Sequence, residues 1–245
     1  VEEQPVAQKD LSSLERGRDL SRVVAFTDGV FAIAITLLVL QLDVPTDIAN
    51  ASELWSALGR QSDDFVAFAI SFAVIGRYWY LDHRFMRMIR EFDPRLMALN
   101  LAYLFFIVLI PFTSQLMGEH GSEVPASVAI YIGNIALVTL FAGLMYRHAD
   151  SHHLVHPEYR AMVSVGGRAV FVIGAIFLAT IPLALVLGPY TPLLWIPLMR
   201  LNPYDRSRRT IIDLTSKDFE TDQGSDEPSA GRDGTEGADG SSDGN

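Results

Sequence analysis

Residues 22–43 read Arg22-Val23-Val24-Ala25-Phe26-Thr27-Asp28-Gly29-Val30-Phe31-Ala32-Ile33-Ala34-Ile35-Thr36-Leu37-Leu38-Val39-Leu40-Gln41-Leu42-Asp43. Within this stretch, residues 23–42 are apolar apart from a few hydroxyls, Asp28 and Gln41, and their number matches the roughly 20 residues a helix needs to cross a bilayer's hydrocarbon core. Similar runs recur at 65–81, 96–117, 126–146 and 169–187. A shorter one at 190–201 holds Pro192 and Pro197 and reads as a kinked or tilted crossing. The chain is therefore expected to be all-α, a polytopic membrane protein with six transmembrane helices per subunit. The first run is followed by others and by no small-residue cleavage site, so it reads as a retained span and not a signal peptide.

Loop charge tests this partition independently, because short cytoplasmic loops collect Lys and Arg. The basic residues before span one, between spans two and three, between four and five, and after six number eighteen of nineteen; Arg60 alone falls on the other side. That distribution requires an even number of crossings with both termini cytoplasmic. The expected organisation is a cytoplasmic N-terminal segment (1–21), a six-helix channel-forming domain (22–202) and a cytoplasmic tail (203–245), with the protein a multi-pass component of the cell membrane. Residues 217–245 carry nine Asp or Glu against one Lys and one Arg, with a single aromatic. Such a composition cannot bury enough apolar surface to fold. Much of the net charge of −10 thus belongs to the tail, and it gives no nucleic-acid footprint. Cysteine is absent, which excludes disulfides, thiolate metal sites and a Cys nucleophile. No nucleophile elbow, phosphate loop or zinc-helix motif appears, so the chain does not read as an enzyme. No internal repeat of the kind that builds many secondary transporters is visible.

At 100° per residue, Arg22, Ala25, Gly29, Ile33, Thr36, Leu40 and Asp43 fall within about 40° of one line on the first helix. From the residues alone this stripe is either a packing seam, since Ala25, Gly29 and Ala32 permit close helix approach, or a pore wall. Asp28 points roughly 100° off the line. A carboxylate inside a span is costly unless paired or wet, so it is either a polar staple between helices or a direct participant in function.

The segment Arg22-x-x-x-Phe26-Thr27-Asp28, continued by Gly29-Val30-Phe31-Ala32-Ile33-Ala34-Ile35-Thr36, resembles the signature of the lysosomal potassium channel family named for transmembrane protein 175, in its bacterial form. Thr27 stands where the usual motif has Ser, and the hydroxyl is kept. The resemblance continues through Trp79 and His83, through Leu99-Asn100-Leu101 to Pro111-Phe112, and to Gly118-Glu119. Family members often carry two adjacent histidines after that Trp; this chain has Asp82-His83. The resemblance implies a potassium-preferring cation channel of four subunits, the first helix of each lining the pore. It further implies Ile33, Leu37 and Leu40 as an apolar constriction and Thr36 as a hydroxyl ring bearing on selectivity. No TVGYG-like loop is present, so a carbonyl-ring filter is not expected. No cofactor or metal is expected; monovalent cations, potassium foremost, are the permeant species, and the partners are other copies of the chain and the lipid bilayer.

An aliphatic collar offers a cation no ligand and gates by dewetting. Asp43, continuing the helical line, is the candidate external vestibule acid, where anionic mouths concentrate cations; Asp47, Glu53, Asp63, Asp64, Glu119 and Glu123 read as a solvated loop face. Arg22 at the cytoplasmic end would repel cations unless neutralised, so Arg22, Phe26, Thr27 and Asp28 are expected to join Trp79, Asp82, His83 or Asn100 in an anchoring network. His152, His153 and His156 lack the neighbouring acids of a dedicated metal site, and Pro111 and Pro182 read as helix kinks. A proton-coupled transporter using Asp28 and His83 is the alternative function. Replacing Thr36 by Val removes the only hydroxyl on the stripe's outer half. The K⁺/Na⁺ permeability ratio from bi-ionic reversal potentials is expected to fall, and an unchanged ratio removes Thr36 from selectivity.

Overall fold

The structure, a computed structural model, describes residues 4–195; their regular structure is helical, with a lone antiparallel bridge between Ile89 and Val155. Helix α1 (Gln4–Leu37) continues as a 3₁₀ turn, Leu38–Gln41. Then follow α2 (Ala51–Arg60), α3 (Ser62–Met86), α4 (Pro94–Val108), α5 (Ile110–His120), α6 (Pro125–Ser151) and α7 (Arg160–Ala179). A short α8 (Ala184–Leu187) leads into a 3₁₀ segment, Gly188–Trp195. Five stretches among the described residues are long and apolar enough to cross a membrane: Leu20–Gln41, Ser62–Met86, Pro94–His120, Pro125–Ser151 and Pro157–Leu183. Half of the expected sixth crossing, 190–195, falls in this 3₁₀ segment, and its other half, 196–201, lies outside the described residues, as does the acidic tail.

Several sequence boundaries move. The residues ahead of the first span are helical and continuous with it, since α1 runs unbroken from Gln4. The fifth span begins at Pro157, about a dozen residues before the expected start, so Arg160 and Arg168 sit on α7 and not in a loop. Both are exposed, as long basic side chains are when they reach from a helix toward water. What carries the helix through these charges is close packing on α6. A Cβ on Gly167 would stand 3.3 Å from the Tyr146 Cβ, and one on Gly143 would stand 2.9 Å from the Phe171 ring. Arg77 likewise lies well inside α3, its guanidinium 5.8 Å from the Tyr80 ring centre.

Pro111 interrupts the third span as expected. It cannot donate a backbone hydrogen bond, and α4 ends at Val108 before α5 resumes at Ile110. Side chains meet the carbonyls around this break: Asn134 Nδ2 donates to the Phe106 carbonyl at 3.2 Å, and Gln41 Nε2 donates to that of Pro111 at 2.9 Å. This is how broken helices survive without water. Pro182 lies in a 3₁₀ turn, Ile181–Leu183, that ends the straight part of the fifth span.

Trp195 is a core residue. It is fully buried, stacks on Tyr131 with ring centres 6.2 Å apart, and donates from Nε1 to the Thr180 hydroxyl at 3.3 Å. The chain reverses at Gly188, whose φ of 52° lies in the region glycine tolerates. Trp55 on α2 and Tyr190 are exposed. Helix α2 opens on a reciprocal cap: Asn50 Oδ1 accepts from the Glu53 N–H at 3.0 Å, and Glu53 Oε2 accepts from the Ala49 N–H at 2.9 Å.

Helix α5 lies tightly on α3. A Cβ on Gly118 would meet Asp64 Oδ1 at 2.6 Å, the Asp64 Cα at 3.2 Å and the Ala67 Cβ at 3.3 Å. One of these neighbours is backbone, so the helices must part to admit a larger residue. Gly118→Leu is expected to cost about 1–3 kcal/mol, the usual range for overpacking, read as a lower unfolding midpoint of the purified protein in detergent. An unshifted midpoint contradicts this packing.

Candidate functional site

Helix α1 has two faces of opposite character. Thr27, Phe31, Ala34, Leu38 and Gln41 are all buried, spaced by three or four residues so that they share one face. Packing against α3 and α4 holds that face, with Phe31 6.0 Å from the Tyr103 ring. Opposite, Arg22, Ala25, Phe26, Gly29, Ala32, Ile33, Thr36, Leu37 and Leu40 are exposed in the subunit. Ile33 is 61 % exposed and Leu40 74 %. A Cβ placed on Gly29 would touch nothing within 4 Å.

The helical line drawn from sequence needs one correction at its outer end. The α-helix stops at Leu37 and the next turn is 3₁₀, where residues three apart eclipse each other. Leu40 is thereby carried round to lie over Leu37, which is some 80° off the ideal α-helical line, while Leu38 and Gln41 eclipse on the buried side. The 3₁₀ turn ends in an extended Leu42 (φ −94°, ψ 113°). Asp43 is exposed but lies beyond the helix, so it does not continue the line as expected.

Thr36 donates its hydroxyl proton to the Ile33 carbonyl at 2.9 Å. Its proton is thus committed to the backbone, and the oxygen presents lone pairs to the open face. That is the orientation a cation requires of a hydroxyl ligand.

At the opposite end of the helix the motif residues meet their neighbours. Trp79 Nε1 donates to Asp28 Oδ1 at 2.9 Å, and the His83 ring lies 5.7 Å from that of Trp79. Asn100 Nδ2 donates to the buried Thr27 hydroxyl at 3.1 Å, while the Asn100 Oδ1 is buried with no hydrogen-bond partner. Asp82 is buried on α3 within electrostatic reach of Asp28. Arg22 and Phe26 stay on the exposed face, so the structure joins Thr27, Asp28, Trp79, His83 and Asn100 and leaves Arg22 outside.

Two clusters had no place in the sequence reading. At the outer end of α1, Gln41 Oε1 accepts from Ser114 Oγ at 2.9 Å, and Ser71 donates to Ser114 at 2.8 Å or to the Tyr131 hydroxyl at 3.0 Å. All four are buried. On the loop side, Asp93 caps α4 by accepting from the Leu96 N–H at 2.6 Å and pairs with His148 Nε2 at 2.8 Å. Burial pushes the Asp93 carboxyl up, but the Leu96 and His148 hydrogen bonds outweigh it and hold it below the usual carboxylate range. The signal was present as single polar residues inside apolar runs, whose partners only the fold reveals. Among the described residues no group of three or more His, Asp and Glu is arranged to hold a metal ion.

The family described as "Endosomal/lysosomal potassium channel TMEM175" matches residues 22–111. A potassium channel of Streptomyces collinus is 35 % identical over 175 residues, which cover 69 % of this chain and 84 % of that protein. A potassium channel of Chamaesiphon minutus is 34 % identical over 134 residues, covering 54 % of this chain and 66 % of the other. The crystal structure of a lysosomal potassium-selective channel TMEM175 homolog from Chamaesiphon minutus superposes with a TM-score of 0.58 at 25 % identity, over 75 % of this chain and all of that one. The endosomal/lysosomal proton channel TMEM175 of Mus musculus is 32 % identical over 122 residues, covering 46 % of this chain and 24 % of that protein.

The Trp79–Asp28 bond generates a direct test. In a double-mutant cycle of Asp28→Asn and Trp79→Phe, unfolding of the purified protein is expected to give a coupling energy of about 1.5 kcal/mol, the scale of a hydrogen bond to a charged group. Strict additivity contradicts the bond.

Proposed function

Because the chain belongs to the TMEM175 channel family, a family of membrane ion channels and not of enzymes, we propose that it is a potassium-preferring channel whose ion path is the exposed face of α1. The observation that carries this reading is the two-faced first helix, buried and hydrogen-bonded on one side and open from Arg22 to Leu40 on the other. Copies of the chain, four by our reading, meet around an axis along that face. Potassium is the permeant ion, taken up without a cofactor, and the assembly sits in the cell membrane with six crossings per subunit and cytoplasmic termini.

Ile33 forms a collar that excludes water when the helices are close. Leu37 and Leu40, eclipsed in the 3₁₀ turn, add a second apolar layer, and Thr36 between them supplies one oxygen per subunit. Four such oxygens replace only part of a cation's hydration, which favours the ion that sheds water more easily. Asp43 stands near the outer end of the path and raises local cation concentration. At the base, the bonds from Trp79 to Asp28 and from Asn100 to Thr27 hold each helix in register. Opening then corresponds to separation of the α1 helices, each still held at its base by those bonds.

Liposomes loaded with potassium and reconstituted with the full chain test this. Flux is expected to follow the potassium gradient with no requirement for a counter-ion, and Ile33→Ser is expected to raise it several-fold by wetting the collar. Flux that needs a proton gradient points to coupled transport and overturns the reading; unchanged flux in Ile33→Ser removes the collar.

A further inference from the structure

Away from the open face of α1, the helices α3, α4, α6 and α7 line a partly open cavity of about 80 Å³. At about 10–15 Å³ for each water-sized group, it has room for roughly five. Val74, Leu81, Phe85, Ile135, Val170 and Phe177 make much of its wall. Its polar side chains are unequally satisfied. The hydroxyls of Tyr78 and Thr139 bond each other, and Thr139 also donates to the Ile135 carbonyl at 2.8 Å. Asp82 also lines the cavity, is only 6 % exposed, and has no hydrogen-bond or ion-pair partner among the described residues. Asp28, of like sign, lies in its electrostatic surroundings, and Arg77 contributes to the cavity wall from the same helix.

A carboxylate buried without donors among apolar side chains is costly, and a second carboxylate nearby makes a cation the favoured neighbour. An occupant that relieves this needs a cationic head with N–H donors and a body of a few apolar carbons. We propose that this intrasubunit cavity is a binding site for small hydrophobic amines, bound as the ammonium with the head on Asp82 and the alkyl body against Val74, Ile135 and Phe177. Binding forms no covalent bond: the ammonium donates hydrogen bonds to the carboxylate and the chain displaces whatever solvent fills the cavity. The site is separate from the ion path, because it lies between helices of one subunit and none of the described residues that line it belongs to α1.

Isothermal titration of butylamine, which has five non-hydrogen atoms, into the purified full chain tests this against butan-1-ol, its neutral counterpart of equal size. Butylamine is expected to bind about tenfold more tightly, the effect of one hydrogen bond to a charged group. Asp82→Asn is expected to remove that preference and leave butanol within about twofold. Ala142→Leu, which fills the cavity from α6 without touching Asp82, is expected to abolish both. Butylamine binding that survives Ala142→Leu places the amine elsewhere and overturns the proposal. Equal binding of amine and alcohol to the native chain overturns the role of Asp82, and that comparison stands even if Asp82→Asn fails to fold.

Discussion

The rotation of α1 about its own axis is fixed by hydrogen bonds at two points, and the remaining geometry follows from them. Near the base, Asn100 holds Thr27 and Trp79 holds Asp28. Near the outer end, Gln41 is held by the Pro111 carbonyl and the Ser114 hydroxyl. Thr27 and Gln41 are fourteen residues apart, about 21 Å along a helix, and a helix clamped at both ends of that length cannot turn without breaking one clamp. Phe31, Ala34 and Leu38 fill the interval on the clamped side. The face left over is the one bearing Ile33, Thr36, Leu37 and Leu40.

The outer clamp depends on a defect in another helix. Pro111 breaks the third span, and Gln41 donates to that residue's own carbonyl. The same region of α5 lies against α3 through Gly118 and Ala67, which sets Ser71 beside Ser114. The 3₁₀ turn at Leu38–Gln41 is part of this arrangement: by eclipsing residues three apart it turns Gln41 inward to its partners and Leu37 outward with Leu40. Structure and proposed function thus meet in one turn of backbone.

Much of this was legible in the sequence. Five of the crossings follow from run length, and the open stripe from helical phase, because both depend on local periodicity. Legibility failed where the helix stopped being ideal. Leu40 and Asp43 differ from the ideal line because 100° per residue does not hold through a turn that winds more tightly and then ends. The fifth span was cut short at Arg168 because a charge outweighs small glycines in a hydropathy reading, although Gly143 and Gly167 are what let α6 and α7 pack. Arg22 was expected in the polar network on grounds of charge cost, yet it sits on the open face. Clusters such as Gln41 with Ser114, or Asp93 with His148, join residues more than fifty positions apart, and no single run of sequence contains them.

The chain has no cysteine, so single cysteines can be placed on the native background without preparation. A membrane-impermeant, positively charged thiol reagent applied during potassium flux separates an ion path from a lipid-facing surface. Cysteines at Thr36 and Leu40 are expected to react and to reduce flux, whereas those at the buried Ala34 and Leu38, and at Phe105 and Val172 on the exposed faces of α4 and α7, are expected not to. Reaction at Phe105 or Val172 with protection of Thr36 and Leu40 would contradict a pore built on the open face of α1.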